Sequence, residues 1–464
     1  MKKYWELIKN TGLFALASMA SKLIAFFFLP LYTYYLTTEE YAVIDLAHVM
    51  QALLWPILSV SIAEALLRFA LDRKNDIEEV LSTALAIVFP GIILFVIVYP
   101  NITVGNAIDE YKIQFVLYYI FVSLNSLLGV FARTVDKVKL IVINSTVSCF
   151  AIAALNVLFL TVMRMHATGY FAAMIIGNII SVVSYIVCTK IYKYISFAKI
   201  NKHLCKEMVA FSIPLIPNAV FWWVNSSLDK IYLTAMTTLA EVGLYSAAGK
   251  IPSLLNTVTS IFQQAWSISA IKEIDQDDKG EFFTNIFRVY TLLIGGCTLG
   301  LVIIAQPLGL FLLSNEFYTA WKIVPVLVMA FYYASLNIYY GSVFTAKKKT
   351  NVIFFTTGLG AIVNIILNYV MILCWGAIGA AVATCLSNLV VWCCRANFVR
   401  KMIKLNSAII EEIMCQVLIG CAVINAITIN NYWISVILIV FFVLLNKRTI
   451  ALGYKLIDEK VKRK

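Results

Sequence analysis

Apolar runs of about twenty residues recur along this chain, separated by short polar turns. Full-length windows begin at Thr11, Ala42, Val80, Gln114, Leu140 and Thr168, and again near Val209, Gly243, Phe287, Val324, Asn351 and Gly376; two shorter ones begin near Ala408 and Tyr432. A helix rising about 1.5 Å per residue needs about 20 apolar residues to cross a hydrocarbon core about 30 Å thick. The pattern predicts an all-α integral membrane protein of about 14 transmembrane helices. The first apolar stretch runs on to Leu36, past the small-x-small triplet Ala15-Leu16-Ala17, which favours an uncleaved span over a signal peptide.

Basic residues orient the helices. With the amino terminus in the cytoplasm, 31 of the 37 Lys and Arg residues fall on cytoplasmic flanks and only Lys112, Arg164 and Lys322 lie outside, as the retention of cations on the inner side requires. Both termini are then cytoplasmic. Three cations are left over inside predicted helices: Lys22, Lys230 and Lys250. A lysine at mid-membrane costs about 2.5–3.5 kcal/mol, so each is expected to face a cavity or a partner.

The longest basic internal loop, Tyr192 to Glu207, falls near the middle of the chain. It suggests an N-terminal six-helix bundle (1–191), a cytoplasmic linker (192–207), a C-terminal six-helix bundle (208–400), and two further helices with a basic tail (401–464). Six crossings return the chain to its starting side, so the halves enter in the same sense, as a parallel repeat about an axis along the membrane normal. A faint echo agrees: Tyr35-Leu36-Thr37 followed by Tyr41 to Ala47 resembles Tyr232-Leu233-Thr234 followed by Glu241 to Ala247.

Composition narrows the class of function. Hydrophobic residues make up 61% and mean hydropathy is +0.87, against about 45–50% apolar in soluble domains. The net charge of +12 follows from topology and calls for no nucleic acid, although the basic tail is suited to membrane lipids. Nearly all ten cysteines sit in apolar runs, no CxxC pair occurs, and His48, His166 and His203 are scattered, so no metal site is expected. There is no GxxxxGK[ST] loop and no outer loop long enough for a catalytic domain. The chain reads as a transporter and not an enzyme.

Two spans carry polar stripes. Asn218, Trp222, Asn225 and Asp229 share one face of the seventh, and Lys250, Ser253, Thr257, Ser260, Gln264 and Ser267 one face of the eighth. Asp229 and Lys250 lie about equally far from the outer turn, about 15 Å deep, and so could pair. The stripes read as a hydrated cavity in which Lys22, Lys230, Lys250, Asn225, Trp222 and Gln264 bind an anionic substrate, with Asp229, Asp45 and Glu64 as candidate ion-coupling groups. For Ser253, Thr257 and Ser260 the competing reading is hydrogen bonding between helices. Glu64 and Arg68, four residues apart, suit a helical ion pair. Pro214, Pro217 and Pro252 should interrupt their helices, and Gly376, Ala380 and Thr384 read as a small-residue packing stripe.

Two stretches carry a family likeness. The first is Leu29-Pro30-Leu31-Tyr32-Thr33-Tyr34-Tyr35-Leu36-Thr37-Thr38-Glu39-Glu40-Tyr41 with Ile44-Asp45-Leu46. The second is Ser212-Ile213-Pro214-Leu215-Ile216-Pro217, Asp229-Lys230, Glu241 to Ser246, Lys250-Ile251-Pro252 and Phe262-Gln263-Gln264-Ala265-Trp266. Together they resemble the Wzx-type polysaccharide and O-antigen flippases of the multidrug/oligosaccharidyl-lipid/polysaccharide exporter superfamily. The resemblance implies two six-helix bundles around a cleft and alternating access. It implies as substrate an undecaprenyl-pyrophosphate-linked oligosaccharide, crossing the bacterial cytoplasmic membrane for O-antigen, capsule or exopolysaccharide synthesis. It also implies coupling to H+ or Na+ without a bound cofactor, and a polysaccharide polymerase and glycosyltransferases as partners. A peptidoglycan-precursor flippase or a cation-coupled multidrug exporter is the nearest alternative. The basic intramembrane charges argue against an exporter of cations, and the short loops against a membrane glycosyltransferase.

Overall fold

The computed structural model describes residues 26–72, 76–103, 105–274, 279–403 and 406–451. Lys22, and most of the first predicted span, lie outside them. The first described helix, α1 (Leu29–Tyr35), is followed by α2 (Thr38–Leu58), α3 (Ile62–Ala70), α4 (Ile77–Val98), α5 (Lys112–Thr134), α6 (Val138–Val157), α7 (His166–Thr189), α8 (Lys202–Ser212) and α9 (Leu215–Met236). The second half has α10 (Leu239–Ala248), α11 (Ser253–Glu273), α12 (Lys279–Ile303), α13 (Ala305–Leu312), α14 (Val324–Ala346), α15 (Thr350–Arg400), α16 (Asn406–Thr428) and α17 (Tyr432–Leu445). The chain is an all-α, multi-pass membrane protein, and among the described residues ten helices are long and apolar enough to cross a bilayer.

Local departures from the sequence reading have identifiable causes. The seventh span starts at Lys202, earlier than hydropathy suggests, because α8 is amphipathic and its N-cap Asn201 accepts hydrogen bonds from the His203 and Leu204 amides. Pro214 separates α8 from α9, and Lys250 with Pro252 falls in the non-helical break between α10 and α11. Span eight is therefore a broken helix. Glu64 and Arg68 are both exposed and form no ion pair, since each long side chain is free to extend into solvent. Gly376 does more than pack: its φ of 54° and ψ of −129° make the sharp turn that divides α15 into 350–375 and 377–400.

The chain divides into two compact units, Met1–Leu228 and Asp229–Lys464, a boundary that falls within α9 and not at the basic connector. That connector packs on the first unit. Lys199 Nζ lies 2.7 Å from both Asp76 Oδ2 and Glu78 Oε2, and the Ser196 amide donates to Ser82 Oγ at 2.9 Å.

Each unit repeats one helix-capping device. In the first, the hydroxyl of Thr37 caps α2 by accepting from the Glu40 amide, and the Glu40 carboxylate reaches to within 3.6 Å of His166 Nδ1 at the start of α7. In the second, Thr238 caps α10 by accepting from the Glu241 amide, and the Glu241 carboxylate accepts from the Ala377 amide at 2.7 Å, at the start of 377–400. The caps set Thr37 opposite Thr238 and Glu40 opposite Glu241. This is one residue off the echo's pairing of Tyr41 with Glu241 and four off its pairing of Thr37 with Thr234, because apolar similarity does not fix register and a cap does. The last helix of each bundle opens alike, His166-Ala167-Thr168-Gly169 against Gly376-Ala377-Ile378-Gly379, with Asn178 and Asn388 in matching positions.

The cores differ in composition. In the second unit Trp266 is 3% exposed and stacks on Tyr339 at 4.7 Å, with Phe262 against Tyr290 at 4.3 Å. The Phe262 to Trp266 segment is thus anchored as core by its aromatic ends. The first unit gathers Tyr32, Tyr118, Tyr170 and His48 instead, with Tyr32 and Tyr170 rings 5.3 Å apart and His48 and Tyr118 5.2 Å apart.

Candidate functional site

Asp229 is the best-defined of the predicted site residues. It lies within α9, is 9% exposed, and its carboxylate accepts hydrogen bonds from the Tyr245 hydroxyl on α10 and from the Lys230 amide at 3.1 Å. A short turn at Thr237 and Thr238 reverses the chain, and Asp229 and Tyr245 stand equally far from Thr237, so the long phenol reaches the carboxylate across the hairpin. Tyr245 is a partner that the stripe analysis missed, because it falls on a different face of its span from Lys250.

The remaining predicted residues take varied positions. Lys230 is half-buried, and its carbonyl accepts from the Thr234 hydroxyl at 2.8 Å. Lys250 is half-buried at the helix break, where its carbonyl accepts from Ser253 Oγ at 2.6 Å. Ser260 likewise donates within its own helix, to the Thr257 carbonyl at 2.9 Å. Asn225 and Trp222 are exposed, and the Asn225 amide donates to the Phe221 carbonyl of its own helix. Gln264 lies on α11, its side chain outside the described ones. Asp45 is buried on α2 beside Tyr41, and Glu64 is exposed on α3. The described structure brings together Asp229 and Lys230 from the predicted set.

Several polar groups inside the spans escaped sequence reasoning. Arg395, which the charge count assigns to a cytoplasmic flank, is 7% exposed. It donates from Nη1 to the Asn337 carbonyl at 2.6 Å, from Nε to Thr356 Oγ1 at 3.0 Å and from Nη2 to Thr357 Oγ1 at 2.9 Å. Counting cations along a chain cannot tell one that points into a bundle from one that points to water. Glu412 on α16 is 1% exposed and receives hydrogen bonds from Gln416 at 2.5 Å and the Tyr340 hydroxyl at 3.3 Å. Its neighbour Glu411 instead forms a two-point ion pair with Arg288, both contacts at 2.8 Å. An acid inside an apolar run was a signal available in the sequence.

The first unit holds a neutral polar cluster. Asn125 on α5 donates to Asn178 on α7 at 2.9 Å, Ser181 Oγ donates to Asn125 Oδ1 at 2.6 Å, and the amide of Asn144 on α6 donates to Ser181 Oγ at 2.8 Å. Beside it lies a cavity of about 320 Å³.

Residues 7–267 match the family model described as polysaccharide biosynthesis protein. The chain belongs to that family. A relative from Haloferax volcanii, described as the probable low-salt glycan biosynthesis flippase Agl15, is 24% identical over 252 residues, covering 51% of each chain. The match thus spans about half the length of that relative. Among solved structures, the lipid II flippase MurJ in an inward closed conformation superposes with a TM-score of 0.70 at 15% identity, over 96% of this chain and 99% of that one. An inward-facing multidrug resistance MATE transporter gives a TM-score of 0.65 at 11% identity, over 85% and 94%. At these identities the likeness is one of fold: the chain has the fold of these membrane transporters.

Proposed function

We propose that this chain is a flippase that moves undecaprenyl-pyrophosphate-linked oligosaccharide repeat units across the bacterial cytoplasmic membrane, supplying surface polysaccharide synthesis. It performs no covalent chemistry and works by alternating access coupled to an H+ or Na+ gradient. The observation that carries the reading is the family match over the first 267 residues, whose description is polysaccharide biosynthesis. The name of the Haloferax relative, a glycan flippase, supports it.

Asp229 is the group best placed to couple ion movement to a change of state. A carboxylate buried within a membrane span is costly unless its charge is met by donors or a cation, and here the Tyr245 phenol and a backbone amide meet it. Tyr245 sits just before the break at Gly249 to Pro252, where the Lys250 and Ile251 amides make three-residue turns instead of continuing the helix, so a change in the charge or occupancy of Asp229 acts next to an irregular segment of the span. Lys22, Lys230 and Lys250 would bind the pyrophosphate.

Reconstituted protein tests both parts. With a fluorescent undecaprenyl-pyrophosphate-linked oligosaccharide on one face of a vesicle, an imposed H+ or Na+ gradient should drive its appearance on the other. Asp229→Asn should lose the gradient dependence while keeping its fold. Equal response of wild type and variant removes Asp229 as the coupling group. Preference for a peptidoglycan precursor, or for a cationic drug, over the oligosaccharide overturns the substrate.

A further inference from the structure

We infer that the cavity in the first unit, among α5, α6 and α7, is a subsite for a sugar ring of the transported lipid-linked glycan. The inference rests on the flippase reading for its physiological ligand and on the cavity alone for its chemistry. The cavity measures about 320 Å³ and is lined by Asn125, Asn178, Ser148 and Ser181 with Tyr118 and Tyr185, and none of its lining residues is charged. Asn125 and Asn178 stand near the middle of α5 and α7, so the cavity lies deep in the bilayer, where sugar hydroxyls meet the highest barrier to crossing.

Hydrogen bonds between helices account for only part of this arrangement. Each asparagine amide has two N–H donors. Asn125 gives one to Asn178, and Asn178 gives one to the Met174 carbonyl at 2.8 Å; among the described residues the second donor of each has no acceptor. If the amides served only to join helices, the space beside them would close. Instead it stays large enough for about ten waters at about 30 Å³ each. An uncharged cavity that sets amides and hydroxyls among apolar side chains at this depth suits a ligand with hydroxyls on its edge and neutral overall, with Tyr118, Tyr185, Val122 and Ile152 to cover its C–H faces. It gives a phosphate no cation to bind.

Full-length protein in membranes, with Cys149 kept as its only cysteine, provides the test, since Cys149 lines the cavity. A water-soluble methanethiosulfonate should label Cys149. N-acetylglucosamine or galactose should slow labelling about threefold at a concentration about twice its Kd, and inorganic pyrophosphate should leave it unchanged. Ser145→Trp, which fills the cavity without touching the Asn125–Asn178–Ser181 bonds, should abolish labelling and, at normal protein level, surface glycan. Absence of labelling, labelling that no sugar slows, protection by pyrophosphate equal to that by sugar, or normal surface glycan in Ser145→Trp overturns the subsite. Sugar protection in a protein whose deletion leaves surface glycan intact would instead retain the sugar site and sink the flippase reading.

Discussion

The two units build the same three-helix arrangement and finish it differently. In the first, Asn125 of α5 joins Asn178 of α7 by a side-chain hydrogen bond at 2.9 Å. In the second, Asn337 of α14 joins the last helix at the matching position by donating to the Asn388 carbonyl at 3.0 Å. The residue that corresponds to Tyr185 is Arg395, counting from the shared openings of the two helices at His166 and Gly376. Tyr185 lines an open cavity, whereas the Arg395 guanidinium reaches into its bundle and donates to Thr356, Thr357 and the Asn337 carbonyl. One half keeps a neutral space, and the other fills the equivalent place with a satisfied cation. The two units can thus share a helix arrangement and finish it differently, one around a neutral space and one around a braced cation.

Removing the brace gives the largest expected effect. Arg395→Ala removes three hydrogen bonds and leaves an empty volume, and should cost about 3 kcal/mol of stability. Arg395→Lys, which keeps the charge but not the fork, should recover part of it. Thermal unfolding of the purified protein in detergent checks both. If Arg395→Ala unfolds like wild type, the guanidinium does not brace the second half, and the contrast with the first fails.

The turns at Gly376 and His166 offer a second contrast. Gly376 has a φ of 54°, and a Cβ there would stand 2.3 Å from Glu241 Oε2. Its counterpart His166 adopts a φ of 50° with a full side chain. At Gly376 the φ of 54° with ψ of −129° strongly favours glycine and the Glu241 carboxylate fills the space a Cβ would need, whereas the chain already carries a side chain at His166. Gly376→Ala should therefore cost about 2 kcal/mol, measured as a lowered melting temperature, and His166→Gly should be near neutral. Equal losses at both positions would mean that the two turns are held alike.

Much of this architecture is legible in the sequence, because span length and apolar content answer to the thickness of a bilayer and not to details of packing. The breaks at Pro214 and Pro252 are legible for the same kind of reason, since proline lacks the amide that a helix needs. What sequence reasoning missed are pairings. A 3.6-residue period predicts which side chains share a face of one helix, but Tyr245 with Asp229, Glu241 with Ala377 and Arg395 with Asn337 each join separate helices. Such partners depend on how those helices cross. The three stranded lysines are a result of subtraction, and subtraction cannot reveal a cation such as Arg395 that the topology already explains.

The smallest effect tests the ion pairs of the comparison. The first unit ties its connector by the exposed Lys199 to the exposed Asp76 and the half-buried Glu78, while the second ties α12 to α16 by the Arg288–Glu411 pair, both of whose members are half-buried. Hydrogen bonding to Lys199 holds the Asp76 carboxyl below its ordinary value, and hydrogen bonding to Asp76 and Glu78 raises the Lys199 ammonium above its own. A depressed carboxyl stabilises the fold above its unfolded pKa and loses that contribution as pH falls through the folded value. A raised ammonium stabilises below its unfolded pKa and loses it as pH rises through the folded value. The clasp is therefore whole from above the ordinary carboxylate range up to the ordinary lysine range, and weakens at either end. Lys199→Ala should lower the melting temperature slightly within that window and not in strong acid, and salt should erase the difference, because exposed charges are screened. Arg288→Ala should give a larger loss that salt reduces less. A salt-insensitive loss at Lys199 would show that the connector is held by packing, and the two ties would then differ in kind and not in degree of burial.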